Sequence, residues 1–186
     1  NLCLSDFIAP KEIGKKDYIG MFCISSGFGI DNLVKYFTYT NDDYNSIMSK
    51  ILADRLAEAT LEMIHLKVRK QFWGYSKNEE LEVSDLLKSK YQGIRPAFGY
   101  PSMPDHSEKR LLFDLLNVEK LIGVKLTENF AMYPASSISG FFISHPKSFY
   151  FNVEKISEDQ LIDYARRKDI NKHEAEKWLS QNLNYK

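Results

Sequence analysis

The segment 42–72 carries the longest helical pattern of the chain and most constrains its fold. Asn41 and Asp42 are good N-caps before it, and Gly74 ends it. About 30 residues at about 1.5 Å each give a helix of about 45 Å, long enough to be the spine of a small domain. Its apolar residues recur at helical spacing: Tyr44, Ile47, Met48, Ile51, Leu52, Leu56, Ala59, Met63 and Leu66.

Shorter elements surround this predicted spine. Residues 17–25 are apolar on both alternating faces, which predicts a strand buried on both sides. Further strands are predicted at 124–128 and in a hairpin over 137–154. Helical patterns occupy five more segments: one or two turns at 31–38, and longer patterns at 79–90, 107–121, 158–168 and 172–181. The mixture predicts an α/β (α+β) fold in which helices pack on an antiparallel sheet.

Length and charge exclude several classes of protein. The 186 residues have the size of one domain, and 25 basic residues balance 25 acidic ones. A nucleic-acid partner is therefore not expected, because phosphate binding needs a surplus of Lys and Arg. No apolar run approaches the roughly 20 residues that cross a bilayer, so no membrane span is expected. Cys3 and Cys23 lie among apolar neighbours, which predicts two reduced core thiols in a cytoplasmic protein.

The segment 91–106 is the best candidate for a functional loop. Its three Pro and two Gly exclude regular structure, whereas its apolar residues predict a rigid, partly buried loop. Arg95 within it could hold a carboxylate through two parallel hydrogen bonds. Gly99 permits a positive φ, and Tyr100 offers a ring or a hydroxyl group. The alternative is an Arg paired with a core acid in a Pro-braced turn.

Other candidate features are weaker. Tyr150 and Phe151 are adjacent, so that in a strand one would face a groove and the other the core, unless both are ordinary strand aromatics. The chain has no G-x-S-x-G elbow and no phosphate-binding glycine motif. Two basic clusters, one at 67–70 and one at 166–168, fit helix C-termini or an acidic partner.

Several long segments resemble the activation domain of cobalamin-dependent methionine synthase. The resemblance covers essentially the whole chain, and the R-P-A-x-G-Y-P and A-x-S-x-S-G segments are the most specific. The matching segments are DFIAPK at 6–11, DDYNSIM at 42–48, ADRLAEA at 53–59, VRKQFWGY at 68–75, YQGIRPAFGYPSMPDHSEK at 91–109, LTENFAMYPASSISGFFISHP at 126–146 and DQLIDYARRKD at 159–169.

The resemblance implies a bent antiparallel sheet packed with helices and a site for S-adenosylmethionine. In this family the cobalamin on a neighbouring domain occasionally oxidises to the inactive cob(II)alamin. The activation domain then presents S-adenosylmethionine, while flavodoxin or an equivalent reductase supplies an electron. Zinc, homocysteine and methyltetrahydrofolate belong to other modules of the parent enzyme, a 5-methyltetrahydrofolate–homocysteine methyltransferase.

The resemblance also implies the ligand residues. Arg95 matches the Arg that holds the methionine carboxylate, and Glu58 matches an acid near the ligand. The positions that match the adenosine site and the later aromatic pair are Ala97, Gly99, Tyr100, Tyr150 and Phe151. The sequence departs from the family at three places near the site: Ser89 replaces an acid, Phe98 replaces Pro, and Ser102-Met103 replaces Ala-Cys. No residue of this chain is expected to act as an acid or base in the methyl transfer.

The family's domain is nearly twice as long as this chain, and its N-terminal part contributes an Asp to the ligand site. Residues 1–186 are therefore expected to form a single domain that is the C-terminal part of the activation domain. Two alternatives remain. One is a docking module for the cobalamin domain and flavodoxin with no complete ligand site. The other is a small-molecule binder whose missing half comes from another chain.

Overall fold

The structure is a computed structural model that describes residues 2–185. Its helices are α1 (Ile30–Tyr39), α2 (Asp43–Lys67), α3 (Val83–Leu87), α4 (Lys109–Leu116), α5 (Val118–Ile122), α6 (Glu158–Lys168) and α7 (Lys172–Trp178). Its strands are β1 (Gly20–Ser25), β2 (Lys125–Leu126), β3 (Met132–Tyr133) and β4 (Ser137–Phe142). The expectation of a mixed fold with antiparallel pairing and one long helix is confirmed.

The strands form two antiparallel pairs. β1 pairs with β4 from Gly20 opposite Phe142 to Ser25 opposite Ser137, and β2 pairs with β3. β1 is covered on both faces, as expected: Met21 and Cys23 pack against one apolar cluster and Phe22 and Ile24 against another, although most of its residues are only half-buried. The predicted hairpin over 137–154 is wrong. Residues 149–154 form no strand, and the backbone N–H of Val153 instead donates to the carbonyl of Pro101.

The long helix α2 forms where it was predicted, but with a different face inward. A π-helical turn, Val68–Phe72, extends it before Gly74, whose φ is 73°. The buried residues are mainly small: Ser46, Ser49, Ala53, Ala57, Leu61 and His65. Large residues of the predicted apolar stripe remain exposed, with Ile47 at 58% and Leu56 at 61%. Small side chains let α2 approach α1, β1 and β4 closely, and that contact decides which face is buried.

Three of the other helical patterns form shorter helices than expected, whereas α6 spans the predicted 158–168. The pattern at 79–90 yields only α3, and the pattern at 107–121 is split by Asn117, which has a φ of 51°. α6 and α7 begin where expected. The Gln160 side chain accepts a hydrogen bond from the Ser157 backbone at 2.9 Å, and the Asn171 side chain accepts one from the Glu174 backbone at 2.9 Å.

The segment 91–106 is irregular and lies against β4, to which its backbone is hydrogen-bonded like a third strand. Ile94 and Ile143 exchange backbone hydrogen bonds at 2.9 and 3.0 Å, and the Phe141 N–H donates to the Pro96 carbonyl at 3.0 Å. Ile94 and Phe98 are buried in separate apolar clusters on either side of Arg95. The expected partly buried loop is confirmed, and its attachment to the sheet fixes the backbone of Arg95.

The two cysteines differ from each other. Cys3 is exposed, so its expected place in the core is wrong, whereas Cys23 is half-buried in β1. Burial raises the pKa of the Cys23 thiol to about 11, which keeps it protonated and unreactive at neutral pH. Over residues 2–185, no helix is long and apolar enough to cross a membrane.

Candidate functional site

A cleft of about 1120 Å³ lies between α2, the 91–106 loop and the segment 150–152. Its volume lies slightly above the range of about 300–1,000 Å³ that is typical of small-molecule sites. All the predicted site residues except Gly99 line it: Glu58, Arg95, Ala97, Tyr100, Tyr150 and Phe151. The expected groove beside the loop is therefore present, although α2 forms one wall and the Tyr150 segment is not a strand.

Arg95 is held in the cleft by three side chains that the sequence reasoning missed. Its Nη2 lies 2.5 Å from Glu62 Oε2, and its Nη1 lies 3.2 Å from Glu62 Oε1. Nη1 also donates to the Tyr91 hydroxyl at 2.7 Å and lies 3.1 Å from His65 Nδ1. Arg95 is therefore paired with an acid and also faces a cleft, so both interpretations of this residue from the sequence apply. The acid, Glu62, is 28% exposed and is not a core residue.

His65 is fully buried beneath Arg95. Its ring stacks on Phe142 with centroids 5.2 Å apart, and its Nε2 lies 3.3 Å from the Tyr75 hydroxyl. Burial, reinforced by the charges of Arg69 and Arg95, lowers the pKa of His65 to about 2. The ring is therefore neutral at physiological pH. Since a guanidinium has no acceptor, Nδ1 accepts from Arg95 and Nε2–H donates to Tyr75.

This buried neutral His should make stability depend on pH. Unfolding frees His65 to bind a proton below pH 6.5, whereas the folded protein does not bind one until about pH 2. The free energy of unfolding should therefore fall by about 1.4 kcal/mol for each pH unit below 6.5 through this group. Urea denaturation between pH 7.5 and 5 should show this slope in the wild type and a shallower one in His65→Gln. The same change at the exposed His173 is the control, and equal slopes in wild type and His65→Gln would contradict the assignment.

Tyr150 joins the cleft to the backbone of Arg95. Its hydroxyl accepts a hydrogen bond from the Arg95 N–H at 3.0 Å and lies 3.4 Å from the Tyr91 hydroxyl. Burial raises the pKa of this hydroxyl, and the neighbouring Tyr91 raises it further, so Tyr150 stays neutral. The neighbouring Phe151 lines the cleft and also packs beside Phe7, with ring centroids 6.4 Å apart.

Gly99 determines the backbone conformation of the loop. Its φ is 86°, and a Cβ at this position would lie 2.3 Å from the His106 ring. Its N–H donates to the Met103 carbonyl at 2.8 Å, which closes the turn that carries the exposed Tyr100. Gly99 therefore allows the turn and the close approach of His106, and it does not line the cleft.

The cleft carries both signs of charge. Glu58 lies one helical turn before Glu62 on α2, and its carboxylate pairs with Arg55 at 2.5 Å. Arg55 and Arg95 bring two positive charges to the same lining. This arrangement suits a ligand that itself carries both charges, together with an apolar or aromatic portion for Tyr100 and Tyr150.

Comparison with known proteins identifies the family. Residues 1–169 match the family model described as the activation domain of vitamin B12-dependent methionine synthase. A solved structure, the MetH reactivation domain bound to AdoHcy, is 53% identical with a TM-score of 0.96. The match covers 99% of this chain and 57% of that one, so this chain spans little more than half of its relative. The chain belongs to the family of vitamin B12-dependent methionine synthase activation domains.

Proposed function

We propose that this chain binds S-adenosylmethionine in the cleft and supports reductive methylation of cob(II)alamin within a cobalamin-dependent methionine synthase. The observation that carries the proposal is the position of Arg95. Glu62, His65 and Tyr91 hold its guanidinium, and 19% of the side chain remains exposed at the cleft. The AdoHcy bound to the 53% identical relative supports a ligand of this chemical class. Because this chain spans 57% of that relative, the activity of the whole enzyme is part of the proposal.

The lining residues suit the parts of the proposed ligand. Arg95 would hold the carboxylate, and the carboxylate of Glu58 would favour the sulfonium cation. Tyr100, Tyr150 and the backbone near Ala97 would hold the adenosine by ring contacts and hydrogen bonds. The chain itself supplies binding and orientation, while the methyl group comes from the sulfonium of the ligand.

The partners in this proposal belong to the rest of the enzyme and its reductase. The cobalamin domain of the same enzyme would carry the methyl acceptor, and flavodoxin or an equivalent reductase would provide the electron. Zinc and homocysteine would bind elsewhere in the parent enzyme. A cytoplasmic location, where thiols such as Cys23 stay reduced, is part of the same proposal.

Calorimetric titration tests ligand binding directly. S-adenosylmethionine and S-adenosylhomocysteine should bind the wild type, and Arg95→Ala should weaken both by about 1.5–3 kcal/mol through loss of a charged hydrogen bond. Methylthioadenosine, which lacks the carboxylate, should bind wild type and variant equally. No binding of any of the three ligands to the folded wild-type chain would count against the proposal.

A docking module for the cobalamin domain is the second candidate function. The exposed apolar residues of α2, including Ile47 and Leu56, favour it because such patches often mark interaction sites. The basic clusters do not add to this case. Arg166 and Arg167 pair with Asp163, and Arg69 is buried against Glu79. Binding of the cobalamin domain by a chain that binds none of the three ligands would favour docking.

A further inference from the structure

One edge of the Arg95 guanidinium is occupied and the other is available. Nη1 faces Tyr91, His65 and Glu62, and Nη2 contacts Glu62. Within residues 2–185, Nε makes no hydrogen bond, and Arg95 lines the cleft. The Nε–Nη2 edge therefore offers two parallel donors, which is the arrangement that a carboxylate accepts. A carboxylate ligand could bind there without displacing the groups that hold Nη1.

Glu62 makes this edge unfavourable for a simple carboxylate. Its Oε2 already lies 2.5 Å from Nη2, the nitrogen that the incoming carboxylate would share. Two carboxylates at one guanidinium repel each other, and the cleft screens them less than bulk water would. A positive group between them would convert this repulsion into attraction. An α-amino acid carries such a group, because its ammonium is attached to the carbon that bears the carboxylate.

We propose that Glu62 binds the α-ammonium of the ligand, so that Glu62 and Arg95 together recognise a zwitterionic amino-acid end. The inference rests on the proposed function and adds a residue to the same site. In the free chain the two side chains pair with each other. In the complex, Arg95 holds the carboxylate, Glu62 holds the ammonium, and the pair between them persists through Nη1. The site thereby selects against ligands that carry a carboxylate alone.

The surroundings of the pair support a fixed receptor. His65 follows Glu62 on α2 and is fully buried, which anchors this part of the helix against Phe142. Tyr91 accepts from Nη1 while lying beneath the guanidinium, whose central carbon is 5.4 Å from the ring centroid. Arg95 therefore needs no rearrangement to present its free edge. Such preorganisation preserves affinity, because the side chain is already ordered before the ligand arrives.

The test uses four probes: S-adenosylhomocysteine, its des-amino analogue that keeps the carboxylate, its decarboxylated analogue that keeps the ammonium, and methylthioadenosine. Each is titrated calorimetrically into the wild-type chain, Glu62→Gln and Glu58→Gln. Gln at position 62 keeps an acceptor for Nη1 and removes only the charge. Glu58→Gln is the matched control, since Glu58 lines the same cleft one turn away and pairs with Arg55 instead.

The expected result is that Glu62→Gln weakens the probes that carry the ammonium and does not weaken the des-amino probe. Glu62→Gln should weaken S-adenosylhomocysteine and the decarboxylated analogue by about tenfold, the usual size of one charged hydrogen bond. Glu62→Gln should bind the des-amino analogue at least as tightly as the wild type does. The two proteins should bind methylthioadenosine with the same affinity. Any effect of Glu58→Gln should be the same for amino and des-amino probes.

Two results would overturn the inference without touching the proposed function. One is a Glu62→Gln chain that binds S-adenosylhomocysteine as tightly as the wild type. The other is equal weakening of the amino and des-amino probes, which would mean that Glu62 only positions Arg95. Failure of the wild-type chain to bind any probe would instead overturn the proposed function, so the two failures are distinguishable.

Discussion

Replacing Glu79 by Ala is expected to lower the free energy of unfolding by about 3–5 kcal/mol. Arg69 is fully buried, and Glu79 is its only acidic partner within residues 2–185. The carboxylate accepts from Nε at 2.9 and 3.0 Å and from Nη2 at 2.8 Å. Arg69 cannot lose its proton, so the variant must bury an uncompensated charge or open the structure to hydrate it.

Urea denaturation at pH 7.5 measures this change. A melting temperature lower by roughly 10 °C should accompany it for a chain of this size. The neighbouring Glu80→Ala is the matched control, because Glu80 is exposed and its replacement should change stability by less than about 0.5 kcal/mol. Equal stability of the two variants would show that water already reaches Arg69 in the folded protein.

The buried pair also supports the candidate site. The Arg69 guanidinium lies over the Tyr91 ring, 4.4 Å from its centroid, and Arg95 approaches the same ring at 5.4 Å. Tyr91 is thus in contact with two cations, and its hydroxyl accepts from Arg95. One of these cations is neutralised by Glu79 and the other by Glu62. The cleft therefore depends on acids from two different segments of the chain.

Local sequence signals predicted where helices begin better than they predicted which residues are buried. The caps of α2 and α6 act through Asp42 and Gln160, and each acts within three residues of the helix start. The buried face of α2 was not predictable from periodicity, because its outer residues are larger and more apolar than its inner ones. Burial there depends on how closely α1 and the sheet approach, which is set by distant parts of the chain. Long-range packing also explains why the expected hairpin is absent from residues 137–154: the Val153 N–H instead donates a hydrogen bond to the Pro101 carbonyl.

The candidate site shows the same limit. Arg95 and the aromatic residues were candidates from the sequence pattern, Glu58 followed from the family resemblance alone, and the structure brings them to one cleft. Glu62 carried a weak signal, since it lies one turn after Glu58 on the same helix. His65 carried none, because a buried His beneath an Arg requires knowledge of which α2 face is inward. The contacts of Arg95 with Glu62 and His65 join residues 30 or more apart, and only the folded chain reveals them.

Replacing Gly140 by Ala is expected to destabilise the chain by about 3 kcal/mol and to weaken the cleft with it. A Cβ at this position would lie 2.1 Å from the Pro96 carbonyl oxygen and 2.9 Å from Ala97 Cα. Both obstacles are backbone atoms, so no side chain can rotate to relieve the contact. The segment that carries Arg95 would have to move away from β4 and strain the hydrogen bond from Phe141 to Pro96.

Two measurements separate this effect from simple loss of stability. Ser139→Ala is the matched control on the same strand: its buried hydroxyl has no hydrogen-bond partner within residues 2–185, so its removal should leave stability unchanged or slightly higher. Under conditions where Gly140→Ala remains folded, it should still bind S-adenosylhomocysteine more weakly than Ser139→Ala does. Equal affinity would mean that the loop moves without carrying Arg95 with it. Reduced affinity would show that the absence of a side chain at one strand position sets the distance between the sheet and the ligand-binding loop.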